Sequence, residues 1–118
     1  MQLHILLPKE SPKTAANNLK VFIEKASING LYSVKVERVQ HSQDQMGAGD
    51  ILNSIQTIIE AASEPLVELV KCLQKYVDNY RTVITIPTRN GNIELKQGRS
   101  MKSEEIKDLI TSIQKNDA

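Results

Sequence analysis

Three side chains in this sequence are of the types that nucleophilic or acid–base chemistry uses: Cys72, His4 and His41. A thiolate activated by an imidazole needs the two groups within hydrogen-bond reach and a third residue to orient the base. Cys72 falls beside the apolar stripe of a predicted helix, His4 on the outward side of a predicted strand and His41 in a polar loop, and no orienting residue stands out. A free cysteine in such a setting behaves as a small hydrophobe. One thiol and two distant histidines cannot make a structural zinc site, and a single cysteine leaves no intramolecular disulfide, which suits a reducing compartment. No carboxylates are paired at the spacing of metal ligands or of a glycosidase. The expectation is therefore no catalytic residue, no metal, no cofactor and no enzymatic activity.

The segment Met46-Gly47-Ala48-Gly49-Asp50 stands where phosphate-cradling loops stand, at the opening of a predicted helix. No Lys-Ser or Lys-Thr follows it, and it does not continue a strand into a strand-helix-strand unit, so it reads as a turn that leads into a helix.

The elements that would position these residues follow from periodicity. Leu3, Ile5 and Leu7 alternate with Gln2, His4 and Leu6 as in a half-buried strand that Pro8 ends. Ser11-Pro12 predicts a helix start, with Ala15, Leu19, Phe22, Ile23 and Ala26 at helical spacing and Asn29-Gly30 as the positive-φ stop. Tyr32, Val34 and Val36 predict a second strand. After a polar loop over 40–49, Asp50 caps a second predicted helix with Ile51, Ile55, Ile58, Ile59 and Ala62 on one side. Pro65 opens a third, with Leu66, Leu69, Val70, Leu73, Tyr76, Val77 and Tyr80 as its stripe. The two form either a helical hairpin or one kinked rod, and the hairpin suits so small a domain better. Thr82, Ile84 and Ile86 and then Ile93 and Leu95 predict a β-hairpin turning at Asn90-Gly91, with Ile86 opposite Leu95 and Thr88 opposite Ile93. A last helix starts at Ser103-Glu104-Glu105 and buries Ile106, Leu109, Ile110 and Ile113.

The predicted order is thus β-α-β-α-α-β-β-α: an α+β two-layer sandwich with a mixed four-stranded sheet, helices mainly on one face, and a parallel pair from the first strand-helix-strand unit. The 118 residues fit one domain over 1–114 with a frayed tail over 115–118. Fifteen Lys and Arg against fourteen Asp and Glu give a net charge of +1, which removes the attraction to phosphate that nucleic-acid binders rely on. The N-terminus lacks the pattern of a secretory signal, and no apolar run approaches the roughly 18–20 residues of a membrane span, so the expectation is a cytoplasmic protein without membrane contact. Only Phe22, Tyr32, Tyr76 and Tyr80 carry rings, and three of them fall on helical stripes, leaving no stacking platform.

More apolar surface lies on the stretch 50–80 than one contact with a sheet requires, since Leu52 and Val67 fall outside the main stripes. The same stretch sets Glu60, Glu64, Glu68 and Asp78 against only Lys71 and Lys75, whereas basic residues outweigh acids in the C-terminal part. A protein-facing surface built from Leu52, Ile59, Val67, Tyr76, Tyr80 and Arg81 follows, for a partner or a second copy of the chain. The alternative is a small-molecule- or anion-sensing regulatory domain using the 46–50 loop and nearby arginines.

The order of these segments, with Met-Gly-Ala-Gly at 46–49, the stretch from Asp50-Ile51-Leu52 through Leu66 to Leu73, the exit Tyr80-Arg81, the strand 82–86, the hairpin into Ile93-Glu94-Leu95 and a short closing helix, resembles the effector-associated constant component family. Where members of that family carry a tryptophan and an arginine cluster at the end of an Ala- and Leu-rich helical stretch, this chain has Tyr76, Tyr80 and Arg81. The resemblance implies a non-enzymatic accessory component of a bacterial conflict system, acting beside an effector, protease or NTPase module in antiviral defence or cell death, with no catalytic residues to carry over.

Overall fold

A computed structural model describes residues 1–8, 11, 12, 14–37, 54–89, 91–98 and 102–116. The elements are β1 (Gln2–Leu6), α1 (Ala15–Lys25), β2 (Leu31–Glu37), β3 (Ser54–Ile59), α2 (Ser63–Tyr80), β4 (Val83–Thr88), β5 (Gly91–Lys96) and α3 (Ser103–Asn116). The fold is α+β, with a five-stranded sheet in the order β2-β3-β1-β4-β5. Alternation puts Leu3, Ile5, Val34, Ile55, Ile59, Ile84, Ile86 and Leu95 on one face, where they join Leu19 and Ile23 of α1, Leu66, Leu69, Leu73 and Val77 of α2, and Ile110 and Ile113 of α3 in one core. The opposite face carries His4, Lys35, Gln56, Thr85 and Glu94.

Two expectations are corrected. The predicted helix over 50–62 is strand β3 from Ser54 to Ile59. Four of its six residues, Ile55, Thr57, Ile58 and Ile59, are β-branched, which costs rotamer freedom in a helix and favours a pleated strand. Ile55, Thr57 and Ile59 point inward by period two, a pattern that a short apolar run shares with a helical stripe. The predicted hairpin or rod of helices is therefore a strand followed by α2 alone, with Pro65 in its first turn as expected. The second correction follows from the first. β3 lies between β1 and β2 and is antiparallel to both, so the expected parallel β1–β2 contact does not form and every neighbouring pair in the sheet is antiparallel.

Smaller differences concern register and ends. In the hairpin Ile86 faces Ile93 and Thr88 faces Gly91, a shift of two from the expected pairing that keeps each side chain on its face. Thr88 Oγ1 donates to the Gly91 carbonyl across that turn at 2.6 Å. Helix α1 starts at Ala15 rather than at Ser11-Pro12, although Ala15 N–H already bonds to the Pro12 carbonyl at 2.9 Å. Lys115 and Asn116, expected to fray, continue α3, and Gln114 Nε2 ties that end to the Ala61 carbonyl at 2.8 Å. The loop from Gln40 to Gly49 with His41, the cap Asp50, and Leu52 lie outside the described residues.

Candidate functional site

Tyr76 and Tyr80 are four residues apart on α2 and therefore share a face. Their rings lie 4.5 Å apart, and Phe22 of α1 meets Tyr76 edge-on at 5.3 Å and 70°. This cluster packs the later half of α1 against the end of α2. Tyr76 is buried, and its hydroxyl donates to the Ala15 carbonyl at 3.5 Å. Burial pushes the Tyr76 phenol above its ordinary value; a hydrogen bond from the Asn18 side chain draws it back and neighbouring Tyr80 raises it. Tyr80 packs beside Phe22 and Tyr76 yet is 51% exposed.

Helix α2 stops at Arg81, which takes the left-handed conformation at φ 50°, ψ 51° and donates its N–H to the Val77 carbonyl. Glycine ordinarily fills such a position; a side chain there costs roughly 1 kcal/mol. Arg81 is among the residues lining a cleft of about 330 Å³ that runs from Leu7, past the end of β1, to Thr14 and Asn18 at the start of α1 and Tyr80 at the end of α2. No acid lines it. Asp78, one turn before Arg81, is held instead by Gln74 Nε2 at 3.2 Å and the Gly98 N–H at 3.0 Å. The first turn of α1 contains no acid, and Thr14 makes no side-chain cap.

A second surface lies at the other end of α1. A register shift between Leu31 and Ser33 lets Tyr32 bulge out of β2 to 69% exposure. A shallow groove of about 270 Å³ separates Glu24 and Ile28, at the end of α1, from Leu31 and Val34 of the strand. Among the described residues β2 pairs with β3 alone, which leaves its outer edge of seven residues without a strand neighbour.

Of the six residues expected to form one helical face, Tyr76, Tyr80 and Arg81 come together at the cleft. Ile59 is wholly buried on β3 and Val67 packs half-buried against the core, while Leu52 lies outside the described residues. The sequence reading missed Thr14, Asn18 and the bulged Tyr32. Asn17-Asn18 is the one available signal, a polar pair of weak helix formers inside an otherwise regular first turn. The weighed thiol–imidazole pair does not form between Cys72 and His4. Cys72 sits among the helices, where burial pushes its thiol up against a smaller opposing pull from Lys75. His4 is on the other side of the sheet with Nδ1 2.7 Å from Glu37 Oε1, an approach outside hydrogen-bond geometry that becomes an ion pair when the imidazole is protonated.

Among the described residues no three His, Cys, Asp or Glu side chains gather to hold a metal, and no helix is long and apolar enough to cross a membrane. No family model, curated protein or solved structure matches this chain.

Proposed function

We propose that the protein is a non-enzymatic adaptor that holds an extended segment of a partner protein against the outer edge of β2. The observation that carries this reading is that edge itself: unpaired among the described residues, flanked by a groove with Ile28 and Leu31 in its wall, and marked by Tyr32 at 69% exposure. A strand added there would satisfy main-chain donors and acceptors while alternate side chains fill the groove. The resemblance read from the sequence supplies the setting, a bacterial conflict system with an effector, protease or NTPase module as partner. That resemblance included a helical stretch starting at Asp50; since Ser54–Ile59 is strand, its support comes from the segments on either side. Light scattering and capture against the products of the flanking genes test the reading. Binding that Tyr32→Asp weakens at least tenfold without lowering the unfolding midpoint supports it. A protein that remains monomeric and binds none of those products, or binds one equally well after Tyr32→Asp, overturns it.

A second reading, a small-molecule- or anion-sensing domain, is favoured by the cleft at Arg81. Its sequence-based site, the 46–50 loop, lies outside the described residues, and the cleft takes its place.

A further inference from the structure

We infer that the segment held at the outer edge of β2 carries an acidic side chain opposite Lys35, set between apolar residues opposite Val34 and Val36. This deepens the adaptor reading and rests on it. Period-two alternation sorts the residues of β2 between the two faces of the sheet. Val34 is buried and Val36 partly buried on the helix-covered face, and side chains opposite them continue that apolar layer beside the groove of Ile28 and Leu31. Lys35 is exposed on the other face, level with Gln56 of β3 and His4 of β1.

Charge selects the partner. Glu37 shares the face of Lys35, yet its carboxylate turns away from the edge and across β3. Its Oε1 lies 2.7 Å from His4 Nδ1, and its Oε2 accepts from Ser54 Oγ at 3.4 Å. Among the described residues Lys35 makes no ion pair, so it is the one charge β2 leaves at the edge on this face. Residues directly opposite on neighbouring strands bring their Cβ atoms within about 5 Å, where an opposite charge is favoured and a like charge repelled. The flexible four-carbon stem lets the ammonium reach a carboxylate at that position. A second copy of β2 does not meet this demand. Paired antiparallel over its full length it sets Ser33 opposite Lys35 and Leu31 opposite Glu37.

The full chain is titrated at low salt with three blocked heptapeptides, Ser-Thr-Val-X-Val-Thr-Ser with glutamate, glutamine or lysine at X, while backbone amide shifts are followed. The expected result is saturable movement of the amides of residues 31–37 by the glutamate peptide, with the glutamine peptide at least threefold and the lysine peptide at least tenfold weaker. Lys35→Glu is expected to reverse that order, and Lys35→Gln to abolish the preference, both with the unfolding midpoint of the parent. If the three peptides bind equally, or if the order survives Lys35→Glu, the edge remains a docking strand and its assignment to an acidic segment is overturned. If amides 31–37 shift with protein concentration alone, the edge belongs to a second copy and the proposal is overturned. If no peptide moves these amides, the adaptor reading falls with it.

Discussion

Gly30 and Arg81, two of the positive-φ positions among the described residues, stand at turns of opposite character. At Gly30, with φ 89°, the chain passes so close to the start of α2 that a Cβ would stand 2.7 Å from Pro65 Cγ and 2.8 Å from Glu60 Oε2. Glu60 N–H also donates to the Gly30 carbonyl at 2.8 Å. Here glycine closes the structure. At Arg81, with φ 50°, glycine would fit the backbone better, yet the position carries one of the largest side chains, beside the cleft. Gly30 permits a close contact, whereas the left-handed turn at Arg81 ends α2, with the N–H groups of Arg81 and Thr82 both directed at the Val77 carbonyl.

Substitutions at the two turns should separate these roles. The largest effect is expected at the closed turn: Gly30→Ala adds a strained φ and an overlap with Pro65, together about 3 kcal/mol lost in urea unfolding. Adding Pro65→Ala removes the Cγ clash but keeps the strain, so the double variant should recover about 1 kcal/mol in a double-mutant cycle. A Gly30→Ala protein as stable as the parent would break the comparison. The open turn should answer with the opposite sign. Arg81→Gly is expected to stabilise by up to about 1 kcal/mol in the same assay. The smallest effect is in pH dependence near the aromatic cluster. An unfolded tyrosine ionises near 10, whereas burial keeps Tyr76 neutral to higher pH, so this stabilisation is whole below 10 and is lost as pH rises beyond it. Cys72 acts with the same sign from its ordinary value of 9.0. Urea midpoints between pH 8 and 11 should fall, and Tyr76→Phe should flatten the upper part of that decline.

The contrast between these turns also shows what the sequence can convey. Asn29-Gly30 is readable as a positive-φ stop because glycine's backbone freedom is a local property. So are the alternation in β1, the stripe of α2 and the burial of Ile110 and Ile113 in α3. The left-handed state of Arg81 is not readable, because no residue type announces strain that the surrounding fold imposes. A helix expected at β3 gives way to a strand for a related reason: Ile55, Ile58 and Ile59 satisfy a helical stripe and a strand equally, and only the partners on both sides, β1 and β2, decide between them. The expected interface divides along the same line. Tyr76, Tyr80 and Arg81 belong to one continuous helix end and come together as their spacing implies, whereas Ile59 followed β3 into the core.

The place of β3 also sets the order in which the molecule can be made. β1 has no hydrogen-bonded neighbour until residues 54–59 exist, and its other neighbour, β4, comes later still. As the chain leaves the ribosome, β1, α1 and β2 therefore emerge without any sheet contact between the two strands, and their apolar residues wait for β3 to be inserted between them. Folding then depends on contacts distant in sequence, which makes it slow for a chain of this length and leaves the first third of the nascent protein exposed to mispairing.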